Sequence, residues 1–273
     1  MSEVDAIRMV RAPGTVDSLC RDLVSLGVTA GMTLIVHSSL SSIGWVCGGA
    51  VGVVLALEQA LTSAGTLVMP AHSGDLSDPA KWENPPVPQA WWQSIRDAMP
   101  PYDPFLTPAS GIGTVAEVFR KQRGVMRSLH PNYSFAAWGR ESDSIAGGEK
   151  LDFSMDMGSP LGRIYELDGS VLLLGVGHGS NTSLHLAEYQ SDYRGKSVVD
   201  CFAPMTRDGA REWVRYRDIV LDADDFDELG AAFEERGGVV TGDVGKAPAR
   251  LMKQRELVDF GVQWMQEHRS PRS

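Results

Sequence analysis

The chain has 273 residues, 43% of them hydrophobic and 22% charged, a balance that belongs to folded globular proteins and excludes a disordered one. Against 25 basic residues stand 35 acidic ones, and the formal charge of −10 argues against nucleic acid as a partner while suiting a polycationic small molecule. No run approaches the roughly 20 apolar residues of a membrane helix; the acidic start Met1–Asp5 lacks the apolar core of a signal peptide; and Cys20, Cys47 and Cys201 show neither metal-type spacing nor a disulfide framework, so a cytoplasmic setting is expected.

Thr15–Leu26 predicts a helix: Thr15 suits an N-cap, Val16, Leu19, Leu23 and Leu26 recur at helical spacing, and Gly27 ends the run. Thr33–His37 is short, apolar and β-rich, hence a buried strand. Ser38–Gly49 is small and polar and reads as a loop, Ala50–Leu61 as a second helix and Thr66–Pro70 as a second buried strand, which together make a βαβ unit. The segment at about 71–108 differs, for it holds Pro79, Pro85, Pro86, Pro88, Pro100, Pro101, Pro104 and Pro108 with Trp82, Trp91 and Trp92. That density of proline forbids long regular elements, a short helix near Gln89–Asp97 excepted, so a loop-rich insertion walling a site is expected. Thr114–Arg123 predicts a helix, Ser134–Trp138 a strand, and Ser159–Glu166 a helix with Ser159 as N-cap before Pro160. Ser170–Val176 is the most apolar strand, followed by the turn Gly177–Ser180 and a helix over Thr182–Tyr189. Arg211–Leu221 reads as a strand in a more polar layer, and Asp225–Arg236 and Ala247–His268 as helices. With no repeat or linker in view, the expected fold is one composite α/β domain over residues 1–273, its central mixed or parallel sheet flanked by helices.

Leu172–Glu188 carries the strongest signal for chemistry. A buried strand delivers the chain to a Gly-rich turn, the position where open α/β sheets bind ligands. His185 and Glu188 are three residues apart and share a helix face. An imidazole is the natural base for an amine near neutral pH, and the carboxylate either orients it or grips a cationic substrate. His178 lies seven residues before His185, a spacing that matches no zinc pattern, so no metal is expected. Val36–Gly44 follows the first strand, and its serines and backbone N–H groups suit phosphate oxygens, although it is neither a Walker A loop nor a dinucleotide fingerprint. At Ser128–Gly139, His130 and the preceding Arg127 could neutralise a phosphate, or the stretch is simply a proline-defined loop with exposed polar groups. Asp222, Asp224 and Asp225 precede a helix, where they either cap it or bind ammonium groups.

Taken in order along nearly the whole chain, these segments resemble the antibiotic N-acetyltransferase family, whose type members are the aminoglycoside 3-N-acetyltransferases. The matching pieces are Leu26-Gly27-Val28, Val36–Ser41, Thr66–Pro70, Thr114–Arg120, His130-Pro131 with Ser134, Ser159–Leu161, Leu167–Gly169, Leu172–Glu188 and Gly242–Ala247. His178 and Ser180 depart from the common family pattern, and the stretch 74–108 is the least familiar part. The resemblance implies acetyl transfer from acetyl-CoA to the 3-amino group of an aminoglycoside's 2-deoxystreptamine ring, with no metal, in a monomer or homodimer. It implies His185 as general base, with Glu188 and Asp224 as its catalytic carboxylates. His37, Ser38, Ser39, Leu40, Ser41, Ser73, His130 and Ser134 would line the CoA site, and Asp75, Glu188, Asp192, Asp222, Asp224 and Asp225 would face the aminoglycoside. Ser39, Ser73 or Thr182 would supply donors to the tetrahedral oxyanion. The alternatives are another amine acceptor on the same fold, or a protein that binds an aminoglycoside or CoA without turnover.

Overall fold

The computed structural model of the chain describes residues 3–8, 10–148 and 150–269. After the short α1 (Glu3–Arg8), α2 (Val16–Leu26) starts on a capping box, in which Ser18 N–H donates to the Thr15 hydroxyl and the Ser18 side chain accepts from Thr15 N–H. Gly27 closes that helix in the left-handed region, at φ 115°, where a side chain would be strained. β1 (Thr33–Ser38) follows, then α3 (Leu40–Ile43), α4 (Ala50–Leu61) and β2 (Thr66–Pro70). The expected Ser38–Gly49 loop thus holds one helical turn, α3. The proline-rich segment contains two 3₁₀ turns and α5 (Trp92–Ala98), and α6 (Gly113–Phe119) comes after it. β3 (Met126–Arg127), β4 (Phe135–Gly139), α7 (Ser142–Ala146) and α8 (Pro160–Glu166) lead to β5 (Ser170–Leu174). A 3₁₀ turn at His178–Ser180 and α9 (Ser183–Gln190) precede a hairpin of β6 (Val198–Arg207) and β7 (Ala210–Ile219). α10 (Phe226–Glu235), β8 (Val239–Val244), β9 (Ala247–Lys253) and α11 (Gln254–His268) complete the order.

The main sheet has the strand order β3-β4-β2-β1-β5-β9-β8, and β2, β1 and β5 at its centre are parallel. Its other pairings are antiparallel, so the sheet is mixed. Alternate residues of the parallel strands enter two separate cores. Leu34, Val36, Leu67, Met69, Leu172 and Leu174 pack with α2, α4 and α6, whereas Ile35, Val68, Val171 and Leu173 pack with α8, α9, α10 and α11. Burial on both faces is why these runs read as continuously apolar.

One expectation fails in the C-terminal part. Ala247–Lys253 is a strand, and only Gln254–His268 is helical. Ala247, Ala249, Leu251 and Met252 are buried, and the register of β9 against β5 runs from Ser170–Lys253 to Leu174–Ala249. Sheet pairing overrides the helix propensity of Ala, Arg, Leu and Met here. β6 and β8 also lie where no strand was expected.

The hairpin and the proline-rich segment are tied down by buried polar groups. The Tyr189 hydroxyl on α9 donates to Asp218 of β7, and the Tyr216 hydroxyl donates to Asn132 at 2.5 Å. Arg127, 8% exposed, donates to the carbonyls of Ala71 and Thr107 and to the hydroxyls of Ser73 and Ser134. One guanidinium therefore joins both ends of the proline-rich segment to the sheet edge. Such charge-assisted bonds are what make its burial tolerable.

Candidate active site

β1 and β5 are parallel neighbours, and β1 continues through α4 to β2 on its other side. The carboxyl ends of β1 and β5 thus flank the point where the chain connections lead away to opposite sides, and a crevice forms there. A cavity of about 970 Å³ opens there. Its walls are the ends of β1 and β2, α3, the Gly48–Gly49 entry to α4, the turn Gly111–Thr114, and the Val176–Thr182 segment. Among the described residues that line it there is no Asp, Glu, Lys or Arg, so this wall is neutral in a strongly acidic protein. The N-terminus of α4 has no side-chain cap, and Gly48 and Gly49 bring its backbone bare to the cavity. Ser39 N–H donates to Leu174 O at 2.9 Å, tying the end of β1 to β5. The hydroxyls of Ser39, Ser41 and Ser42 form a chain at 3.1 Å spacings along the lip.

His185 stands in the first turn of α9, three residues past Thr182 of the cavity wall. Its Nδ1 meets Glu188 Oε2 at 2.5 Å, and its ring lies 4.8 Å from that of Phe226. Glu188 has no exposed surface. Its Oε1 accepts from Arg269 Nη1 at 2.7 Å and from the backbone N–H of Asp222 at 3.0 Å. Arg269 also donates to both carboxylate oxygens of Asp225 and to the Asp222 carbonyl. Burial opposes the Arg269 charge, but its bonds to Asp225 and Glu188 outweigh that and raise its pKa. Glu188 thus fixes the proton of His185 on Nδ1, and Nε2 is left with a lone pair.

Two more imidazoles share this end of the cavity. His37 at the end of β1 has its Nε2 3.4 Å from the Thr182 hydroxyl, and His72 follows β2 by two residues. Burial, and then the neighbouring His185, lowers His37 to about 3. Burial followed by His185, His37, His130 and Arg127 lowers His72 to about 3 as well. Both rings are neutral at any working pH, so they can hold a hydrogen bond without titrating.

The expected site residues divide clearly. His37, Ser38, Ser39, Leu40 and Ser41 line the cavity. Ser73, His130 and Ser134 do not; they are buried behind it and already bonded. Ser73 and Ser134 accept from Arg127, and His130 Nδ1 accepts from the N–H groups of Asn132 and Tyr133 while its Nε2 meets Leu151 O at 3.1 Å. Asp224 is exposed and its N–H donates to the Asp222 carboxylate; among the described residues the carboxylate bonded to His185 is Glu188. Asp225 is committed to Arg269, and Glu188 is sealed from any substrate, whereas Asp75, Asp192 and Asp222 are exposed. Arg269 and His72 escaped the sequence reading. Nothing local marks Arg269, 81 residues beyond its partner, but His72 sits just past a strand's carboxyl end, a position worth weighing in its own right. Among the described residues no group of His, Cys, Asp and Glu could hold a metal ion, and no helix is long and apolar enough to cross a membrane.

A sequence model described as aminoglycoside 3-N-acetyltransferase matches residues 35–266. The SPbeta prophage-derived aminoglycoside N(3')-acetyltransferase-like protein YokD of Bacillus subtilis is 46% identical over 92% of both chains. The crystal structure of YokD superposes with a TM-score of 0.95, covering 97% of this chain and 98% of that one at 43% identity. Two further solved structures align at 28% identity and a TM-score of 0.85. One is AAC-IIIb in a binary complex with CoASH, covering 96% of this chain and all of the other. The second is AAC-VIa bound to sisomicin, covering 95% of this chain and 100% of that one.

Proposed function

Because the chain belongs to the aminoglycoside 3-N-acetyltransferase family, we propose that it moves the acetyl group of acetyl-CoA to the 3-amino group of a 2-deoxystreptamine aminoglycoside, with His185 as general base. The observation that carries this reading is the His185–Glu188–Arg269 chain, its Glu188 fully buried and its His185 three residues past Thr182 on the wall of a neutral cavity of about 970 Å³. A relative's structure with CoA and another's with sisomicin support the two ligand classes.

Acetyl-CoA is assigned to the cavity. The uncapped N-terminus of α4 and the Ser38–Ser41 lip suit its phosphates, since helix N–H groups and hydroxyls donate to oxyanions and no carboxylate repels them. The acceptor is assigned to the surface beside the His185–Glu188 pair, where Asp222, whose N–H donates to Glu188, and Asp224 are exposed and offer carboxylates to ammonium groups. Ser73, His130 and Ser134 serve as supports for the wall. The 3-amine, having lost one proton to water, attacks the thioester carbonyl carbon with its lone pair. The C–N bond forms, the carbonyl π pair moves onto oxygen, and the amine's proton passes to His185 Nε2. The oxyanion then collapses, the C–S bond breaks, and the departing sulfur takes that proton. Glu188 stabilises the transient imidazolium, and Arg269 holds Glu188 in place.

Purified protein is mixed with acetyl-CoA and a panel of aminoglycosides, and free thiol and product mass are followed. One acetyl gained per thiol released, on the 3-amine, is expected. Turnover with other amines alone would move the acceptor, and no turnover with any amine would leave a binding protein.

A further inference from the structure

The proposed reaction needs a donor for the oxygen of the tetrahedral intermediate, and most polar groups near His185 are already occupied. Thr182 shares its hydroxyl with His37, the Ser39 N–H is spent on Leu174, and Ser73 is buried outside the cavity lining. His72 is different. Its ring forms part of the cavity wall, and neither ring nitrogen has a hydrogen-bond partner among the described residues. Nε2 is sealed from solvent as well. Edge-to-face contacts with Tyr133 and Phe135, at 5.5 and 5.2 Å, hold the ring, while its own carbonyl accepts from Ser110 N–H at 2.9 Å. This side chain is therefore positioned at both ends and left without a partner in the middle.

Location narrows the role. His72 lies at the end of β2, beside His37 at the end of β1, and both interact electrostatically with His185. A thioester carbonyl that is to meet an amine resting on His185 must sit in the part of the cavity lined by His37, His72 and Thr182, three residues before His185. A neutral imidazole carries one N–H. Orphaned buried N–H groups are rarer than orphaned acceptors, so the sealed Nε2 keeps the lone pair and Nδ1 holds the proton.

We infer that His72 is an oxyanion donor of the transfer, its Nδ1–H meeting the acetyl carbonyl oxygen in the thioester and more strongly in the tetrahedral intermediate. The inference rests on the acetyl-transfer reading above and adds a residue to it. A donor that cannot ionise near neutral pH suits the task, because it stabilises negative charge without surrendering its proton to it.

The test compares His72→Ala and His72→Gln with the parent. For His72→Ala, kcat should fall by about a hundredfold or more, with the Kd of free CoA, which lacks the acetyl carbonyl, unchanged. Preference for acetyl-CoA over CoA, measured by calorimetry without any acceptor, should be lost. His72→Gln keeps a donor and should recover at least a tenfold share of kcat. A kcat within threefold of the parent, an equal loss of CoA and acetyl-CoA binding, or no recovery in His72→Gln would each overturn the inference. If the parent itself acetylates no amine, the acetyl-transfer reading falls first, and the acetyl-CoA preference still decides whether His72 meets the carbonyl.

Discussion

Arg269 illustrates how far a residue of the candidate site can stand from anything that announces it. Its guanidinium is 8% exposed and binds Glu188, Asp225 and the Asp222 carbonyl, and without it Glu188 would be a sealed, half-compensated charge. Removing one partner of a buried pair commonly costs about 3–5 kcal/mol. For Arg269→Met, a stability loss of that order is expected in denaturant unfolding. Adding Glu188→Gln to that variant should cost less than the sum of the two single changes, since both partners of one interaction are then gone. Additive losses would mean that the two residues do not depend on each other. His185 and Glu188, by contrast, are legible in the sequence, because three residues on a helix bring them together whatever else the chain does. What sequence left open was whether Glu188 orients the imidazole or meets the substrate. Its complete burial and its four partners favour the first role.

The elements around the site were legible in proportion to how local their causes are. α2, α4, β2 and α8 follow from caps, prolines and apolar runs, and the structure puts them where those signals do. β9 does not, because its strand conformation comes from pairing with β5, some 80 residues earlier. β6 is likewise defined by its hairpin partner β7 rather than by an apolar run of its own. One close approach between elements lies next to the cavity wall, whose lining includes Ser41 and Val176. Gly175, just past β5, has φ +70°, and a Cβ there would lie 2.5 Å from Cβ of Ser42 on α3. The Ser42 hydroxyl donates to the Gly175 carbonyl at 3.2 Å, so the turn and the helical lip are held as one surface. Gly175→Ala combines a left-handed backbone with a steric clash, and a loss of about 1–3 kcal/mol is expected in thermal or denaturant unfolding. The lip must then shift, and acetyl-CoA affinity should weaken with it. Unchanged affinity would show that the α3 contact does not shape the cosubstrate wall.

At the scale of the whole molecule, a net charge of −10 surrounds a cavity whose described lining residues include no Asp, Glu, Lys or Arg. Composition gives the overall charge, and the fold shows which surface is left neutral. The proposed acceptor is cationic, and a negatively charged molecule attracts it from a distance. Long-range attraction is screened over about 8–10 Å at physiological salt. The kcat/KM for an aminoglycoside should therefore fall severalfold between low and high ionic strength, as read by thiol release. A flat salt dependence would remove charge steering from the account. If His185, oriented by Glu188, takes the proton of the attacking amine, its loss must appear in steady-state kinetics of His185→Ala with acetyl-CoA affinity measured in parallel. The expected kcat is at least about a hundredfold lower with acetyl-CoA binding intact, whereas a kcat near that of the parent, with the loss confined to the acceptor's KM, would rule out His185 as the base.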